Sequence, residues 1–162
     1  MRVLGIDPGS IVTGYGVVEK VSGSLLHVAD GTVRAKGSME LPERLPPIFD
    51  GLRDIITEYQ PHVVAVESIF FARNVKSAAI LGHARGVALL AAAKAQLAVF
   101  EYSPMEVKQS VVGYGAATKE QVQKMVKALM RTDHLPTSDA ADALAVAICH
   151  IHHQRIQHKI GG

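Results

Sequence analysis

The feature that most constrains this chain is its opening segment, residues 2–10, which reads RVLGIDPGS. The apolar run over residues 3–6 is typical of a short strand that is buried on both faces. Pro8 cannot donate to a sheet ladder, so the strand is predicted to end before it, and Gly9 permits a turn that a side chain would block. Asp7 therefore lies at the carboxyl end of a central strand, where open α/β sheets place their ligand sites.

A second apolar run also ends in a carboxylate. Residues 62–67 read HVVAVE and follow a stretch with helical spacing over residues 41–59. A strand, a helix and a returning strand form a right-handed crossover between parallel strands. The neighbour of this strand is predicted to be the first strand, which would place Glu67 beside Asp7 at one sheet edge.

The last predicted helix opens with two further acids, Asp139 and Asp142, among alanines. Residues three apart share a helix face, and the alanines let the helix lie close against a sheet. A carboxylate near a helix N-terminus can also serve only as a cap. That alternative accounts well for Asp139 and less well for Asp142, whose helix neighbours are almost all apolar.

Converging carboxylates without nearby Lys or Arg would repel one another, and divalent metal would relieve this repulsion. Oxygen-only ligands select hard cations, so the pattern predicts Mg²⁺, with Mn²⁺ as a substitute, and not zinc. Two such ions ~4 Å apart can activate a water and stabilise the leaving oxygen in phosphodiester cleavage. The predicted catalytic and metal-binding residues are Asp7, Glu67, Asp139 and Asp142.

Composition fits a single globular domain of 162 residues with 48% apolar and 20% charged residues. The single cysteine, Cys149, suits a reducing compartment. Strand-like sequence from residue 2 leaves no room for a signal peptide, and the apolar run over residues 87–93 is too short for a bilayer. We therefore expect a cytoplasmic protein without a membrane partner, with a domain over residues 1–155 and a flexible tail over 156–162.

Charge is unevenly distributed along the chain. Residues 68–131 hold nine Lys or Arg against three Asp or Glu, whereas residues 1–67 hold six against nine. A basic middle beside a group of carboxylates indicates a surface that faces a polyanion. Chance segregation of charge on a solvated surface is the alternative, and the distribution alone does not decide between them.

Periodicity and turn signals predict five strands and five helices in an α/β arrangement. The first three strands form an antiparallel meander, the third being interrupted at Asp30-Gly31, and Pro46 and Pro47 are placed near the first turn of the first helix. His150, His152 and His153 are predicted at a solvent-facing helix end, with loose metal binding as the alternative. The predicted strands are 2–7, 13–19, 25–34, 62–67 and 97–102, and the predicted helices are 41–59, 76–95, 105–112, 118–130 and 137–153.

The helix over residues 76–95 carries Gly82 and Gly86 four positions apart, so both lie on one face and allow another helix to approach. Packing on the chain's own sheet is the alternative use of these glycines. Because the helix is apolar nearly all round over residues 87–93, a homodimer seam is favoured.

Taken in order, these motifs resemble the RuvC family of Holliday-junction resolvases over almost the whole chain. The resemblance implies a ribonuclease-H-like fold with a five-stranded mixed sheet between helices, and a homodimer. It also implies Mg²⁺-dependent symmetric nicking of four-way DNA junctions in recombination and repair, beside the RuvA and RuvB proteins. The matching segments are Gly5-Ile6-Asp7-Pro8-Gly9-Ser10, Thr13-Gly14-Tyr15-Gly16, Glu67 with Phe70 and Asn74, Ser77-Ala78, Leu81-Gly82, Ala84-Arg85-Gly86, Val107-Lys108, Val111-Val112-Gly113 and Asp139-Ala140-Ala141-Asp142-Ala143.

The resemblance carries the family's four catalytic acids onto the four carboxylates above, and its aromatic wedge onto Phe70. A core position is the alternative for Phe70, although base stacking and phosphate contact need the residue types found in this loop. Lys108 and Lys119 match basic positions near the scissile phosphate. The predicted DNA contacts are Phe70, Phe71, Arg73, Asn74, Lys76, Lys108 and Lys119.

Three rival functions share parts of this pattern. Another ribonuclease-H-like nuclease acting on RNA or RNA–DNA hybrids would share the acids but lack the Phe70 loop and the glycine-lined helix. An ATPase of the actin and sugar-kinase fold would need a second domain for which 162 residues leave no space. A binding module without catalysis would have no need of four acids.

Overall fold

One mixed sheet of five strands forms the centre of the molecule. The structure, a computed structural model, describes residues 1–68, 74–132 and 136–160, with side chains up to residue 154. The strand order is β3-β2-β1-β4-β5; β1 is antiparallel to β2 and parallel to β4. The strands are β1 (Arg2–Asp7), β2 (Val12–Val21), β3 (Ser24–Arg34), β4 (Val63–Glu67) and β5 (Ala98–Tyr102).

Helices cover both faces of this sheet. One apolar cluster joins α1 and α2 to one face, and a second joins α3, α4 and α5 to the other. This arrangement confirms the predicted three-layer, ribonuclease-H-like fold. The helices are α1 (Leu41–Tyr59), α2 (Val75–Lys94), α3 (Pro104–Val112), α4 (Lys119–Met130) and α5 (Ser138–Ile160).

Alternation along the two central strands determines which layer each side chain meets. In β1, Val3 packs in the α5 layer and Leu4 in the α1–α2 layer. In β4, Ala65 and Val66 divide in the same way. Since side chains alternate with period two, the last residue of each strand faces the α5 layer. Asp7 and Glu67, which end β1 and β4, are therefore directed to the same side of the sheet.

Three glycines bring α5 unusually close to β1 and β2. A Cβ on Gly5 would collide with the carbonyl oxygen of Ala143, and one on Gly14 with the carbonyl oxygen of Asp139. A Cβ on Gly16 would lie 2.6 Å from Cγ of Leu144. Glycine within a strand is typical of a close backbone approach, and these three glycines let the N-terminal half of α5 pack directly on the sheet.

Two details of the predicted strands and helices are wrong. The third strand is not interrupted at Asp30-Gly31: it is continuous, because Gly31 lies under the ring of Tyr15, and the register shift falls instead between Val17 and Val18 of its partner strand. Pro46 and Pro47 lie inside α1, beyond its first turn, which holds Pro42. Burial of the apolar face of α1 compensates for the two backbone donors that these prolines lack.

The C-terminal helix is longer than predicted, and the prediction of a solvent-facing end is wrong for His150, which is buried, and for His152 and His153, which are partly buried. Helix α5 continues to Ile160, past the expected end at His153, so residues 156–160 are helical. His150 is fully buried, its Nδ1 lies 2.8 Å from the hydroxyl of Tyr102, and its ring stacks near that of Phe100. His152 lies 3.0 Å from the carbonyl oxygen of Ser110. The division into a domain over residues 1–155 and a flexible tail stays a prediction.

Helix α2 is the least covered of the described helices. By length and composition alone it could cross a membrane, and only 22% of the relevant window is buried. This is weak evidence for a membrane span, because helices of soluble proteins pass the same test. The apolar part of α2 is longer than the run over residues 87–93 that was judged too short to cross a bilayer. Its exposed face is a surface that a partner can cover.

Candidate active site

The turn after β1 fixes the position of Asp7. A Cβ on Gly9 would collide with the carbonyl oxygen of Val12, so the turn that follows Pro8 requires glycine. The buried hydroxyl of Thr13 donates to the carbonyl oxygen of Gly9 at 2.9 Å and accepts from its N–H at 3.3 Å. The strand therefore ends where the sequence predicts, and Asp7 is held at the sheet edge.

Glu67 ends the adjacent parallel strand. The backbone pairing of β1 with β4 runs to Ile6 and Val66, which precede the two acids. After Glu67, the N–H of Ser68 donates to the carbonyl oxygen of Tyr102 at 2.8 Å, which extends the pairing of β4 with β5. The prediction that Glu67 stands beside Asp7 is confirmed by this register.

Helix α5 supplies the other two acids from its first turns. The hydroxyl of Thr137 accepts from the N–H of Ala140 at 3.3 Å, so a threonine caps this helix and Asp139 is not needed as its cap. Asp142 lines a cleft together with Asp7 and Glu67. Asp139 lies close enough to raise the pKa of Asp7, but it is not among the cleft-lining residues.

The cleft has a volume of about 220 Å³ and combines acids, lysines and an apolar wall. Lys108 comes from α3 and Lys119 from α4, so the structure brings both predicted lysines to the predicted acids. The expectation of acids without nearby cations is therefore wrong. The complete lining is Asp7, Glu67, Pro104, Val107, Lys108, Lys119, Val122, Asp142, Ala145 and Val146.

Burial and mutual repulsion disfavour ionisation of the acids. Burial raises the pKa of Asp7 from 3.8 to about 7, and the charges of Asp142, Glu67 and Asp139 add to this effect. Burial and the charge of Asp142 also raise the pKa of Glu67. Lys119 opposes both shifts. A site that makes carboxylates this hard to ionise would favour a bound cation.

The donor chemistry of the cleft fits a hard divalent cation. Carboxylate oxygens are the ligands that Mg²⁺ and Mn²⁺ prefer, and the acids carry more negative charge than the two lysines balance. Within the described parts of the chain, no three Asp, Glu, His or Cys side chains already form a metal-holding group. Instead, Nζ of Lys119 lies 2.6 Å from Oδ2 of Asp142. Small side-chain rotations would have to bring the acids around an ion.

The predicted DNA contacts divide into three groups, of which the first, Lys108 and Lys119, lines the cleft. Phe70, Phe71 and Arg73 lie outside the described residues. Asn74 is the N-cap of α2, where its Oδ1 accepts from the N–H of Lys76 at 2.9 Å. Lys76 itself is exposed in the first turn of that helix.

The apolar wall of the cleft was not among the predicted site residues. Val107 precedes Lys108 on α3, and Val122 lies one turn after Lys119 on α4. Both valines belong to the α5-side core. On α4 the available signal was the spacing of three between Lys119 and Val122, which places both residues on one face of the helix.

Comparison with known proteins connects this geometry to a family. A family model described as "Crossover junction endodeoxyribonuclease RuvC" matches residues 3–150. The chain belongs to the RuvC family. It is 55% identical over 152 residues to the protein of that name from Syntrophotalea carbinolica, covering 94% of both chains. Identity to the Geobacter metallireducens protein is 54% over 150 residues, covering 93% of this chain and 92% of that one.

Solved structures agree with this assignment to the RuvC family. The structure titled "T. thermophilus RuvC in complex with Holliday junction substrate" superposes with a TM-score of 0.90 at 36% identity, covering 97% of this chain and 96% of that one. RuvC proteins are metal-dependent nucleases, and this chain is a crossover junction endodeoxyribonuclease. Family membership therefore decides against the ATPase alternative.

The raised pKa of Asp7 predicts a pH-dependent stability difference for Asp7→Asn. A carboxyl whose pKa rises on folding favours the folded state below its ordinary pKa, and this contribution is lost as pH rises through about 7. In metal-free buffer we expect the variant's advantage in free energy of unfolding over the wild type to be ~2–3 kcal/mol larger at pH 8 than at pH 5. Urea titrations at both pH values measure it.

Asp54→Asn is the matched control, because the Asp54 side chain lies on α1 and is 69% exposed. Its effect on the free energy of unfolding should be the same at the two pH values. An Asp7→Asn difference that does not change between pH 5 and pH 8 would contradict the crowding of the acids.

Proposed function

We propose that this chain resolves Holliday junctions by paired symmetric nicks, leaving 5′-phosphate and 3′-hydroxyl ends. The observation that carries this proposal is the convergence of Asp7, Glu67 and Asp142 in one cleft, at the carboxyl ends of two parallel strands. The similar T. thermophilus protein is described in complex with a Holliday junction substrate. DNA recombination and repair are the processes that need this reaction.

The acids of the cleft would hold Mg²⁺, two ions per active site, with Mn²⁺ as a substitute. Asp7, Glu67 and Asp142 offer oxygen donors from three elements, and Asp139 adds negative charge from the same helix turn. Ions held by these residues would supply an activated water and stabilise the leaving oxygen in phosphodiester hydrolysis.

The two lysines would act on the phosphate. Lys108 and Lys119 reach the cleft from separate helices, so they can approach a bound phosphate from different directions. Ammonium groups there would stabilise charge that develops on the phosphate oxygens in the transition state. Phe70, Phe71 and Arg73 stay predictions as junction contacts, together with Asn74 and Lys76 at the start of α2.

A homodimer through α2 is the second part of the proposal. One stripe of six residues, spaced three or four positions apart along α2, is exposed, and all six are small or apolar. At both glycines of this stripe, an added Cβ would meet open space. Two copies packed along the stripe would present two clefts to one four-way junction. The stripe consists of Val75, Ala79, Gly82, Gly86, Leu90 and Ala93.

Family membership also supports a proposal for the cellular setting. The RuvA and RuvB branch-migration proteins are the proposed partners, and the cytoplasm is the proposed location. A dimer that covers α2 would bury the apolar face that gives this helix its membrane-like composition. No membrane is needed to account for that face.

Cleavage of a synthetic mobile four-way junction in Mg²⁺ tests the proposal. Wild-type protein should produce paired symmetric nicks with ligatable ends. Asp7→Asn should lower the cleavage rate by at least about 10³-fold, because it removes a charged ligand from the cleft, while junction binding persists. Asp54→Asn, an exposed acid on α1, should cut at the wild-type rate.

Two results would overturn this proposal. Asp7→Asn cutting at the wild-type rate would remove the acids from the reaction. Preferential cleavage of RNA duplexes or RNA–DNA hybrids would select the alternative of another ribonuclease-H-like nuclease.

The α2 stripe predicts that Gly86→Glu separates the dimer into monomers. The added side chain has space in the single chain, so the fold should persist, but it would hold a second helix away. Ser77→Glu is the matched control, because residue 77 lies on the opposite side of the same helix. Sedimentation velocity should show dimers of the wild type and of Ser77→Glu, and monomers of Gly86→Glu. A Gly86→Glu dimer as tight as the wild type would exclude this interface.

A further inference from the structure

Lys119 makes the one ion pair described within the cleft. Its Nζ lies 2.6 Å from Oδ2 of Asp142, and no other ion pair to a cleft carboxylate is present among the residues that the structure describes. The Lys119 side chain is 53% exposed and that of Asp142 is 28% exposed. The ammonium group is thus bound by a carboxylate of the cleft, while the exposed side chain of Lys119 has room to rotate into solvent.

Lys119 does not stabilise the helix α4 in which it lies. Thr118 and Gln121 form a capping box that fixes the first turn of α4, and Lys119 is the first helical residue. A cation in the first turn of a helix is disfavoured by the helix dipole. The neighbouring acids provide the compensating attraction. The hydrogen bond that Lys119 donates to Asp142 raises the pKa of Lys119 most, and the charges of Asp142, Asp7 and Asp139 add to this effect.

We propose that Lys119 is the built-in counter-cation of the acid cluster and competes with the divalent ion for Asp142. This inference rests on the proposed function, because it takes the cluster to be the metal site. Oδ2 of Asp142 accepts from the ammonium group at 2.6 Å, so an ion that binds through this oxygen would displace Lys119. The displaced ammonium group would then be free for the phosphate.

Lys108 provides a matched comparison inside the same cleft. It carries the same charge and lowers the pKa of Glu67, as Lys119 does. Within the described residues it makes no ion pair with a carboxylate. Removing Lys108 therefore tests the general effect of losing one positive charge, whereas removing Lys119 also frees Asp142.

Mn²⁺ binding to the DNA-free protein, followed by the EPR signal of free Mn²⁺, tests the competition without reference to cleavage. An exposed ion pair of this kind should weaken metal binding by about three- to five-fold. We expect Lys119→Gln to tighten the Kd for Mn²⁺ by about that factor, and Lys108→Gln by less than about half of it. In metal-free buffer, Lys119→Gln should also have the lower Tm of the two, and Mg²⁺ should remove the difference.

The outcomes separate this inference from the function on which it rests. If Lys119→Gln binds Mn²⁺ no more tightly than Lys108→Gln, while Asp7→Asn binds none, the site is a metal site and the role of Lys119 is wrong. If the wild type and Asp7→Asn bind Mn²⁺ equally, the proposed metal site itself is wrong, and the inference falls with it.

Discussion

The close contact of α5 with β1 and β2 is the constraint on which the rest of the structure depends. Gly5, Gly14 and Gly16 remove the side chains that would otherwise stand between helix and sheet, so α5 rests on the strand backbones themselves. The carbonyl oxygen of Asp139 occupies the space that a Cβ on Gly14 would need. The distance from the start of α5 to the end of β1 is thus set by backbone packing, which cannot relax as a side chain can.

This contact makes ionisation of the acids in the cleft energetically unfavourable. Residues that alternate down β1 and β4 turn Asp7 and Glu67 toward α5, whose first turns already carry two carboxylates. Burial and repulsion then raise the pKa of Asp7 to about 7. Concentrated negative charge of this kind destabilises the metal-free fold and favours any cation that can enter. Stability and metal affinity are therefore opposed at the same residues.

Much of this arrangement could be predicted because local sequence patterns determine it. The apolar runs that end at Asp7 and Glu67, the proline that follows Asp7, and the crossover rule suffice to place both acids at one sheet edge. The Asp139–Asp142 spacing and the surrounding alanines add the closing helix. Resemblance to a family supplied the roles of the lysines, which residue type alone could not.

What the sequence did not predict depends on contacts between distant segments. The burial of His150 depends on the hydroxyl of Tyr102, 48 residues away, and the continuity of β3 depends on Gly31 lying under the ring of Tyr15. The pairing of Lys119 with Asp142 joins two helix N-termini that only the fold brings together. Periodicity reports which face of an element is apolar, but not which polar group meets it across the core.

The position of a bound metal ion is the most direct test of a metal site in the cleft. Anomalous scattering from crystals of the Mn²⁺-loaded protein would show where the ion lies without reference to any rate. We expect Mn²⁺ in the cleft, within coordination distance of Asp7 and of at least one of Glu67 and Asp142. An ion bound elsewhere, with these carboxylates free of it, would contradict the central claim that the convergence of strand ends and helix start builds a metal site.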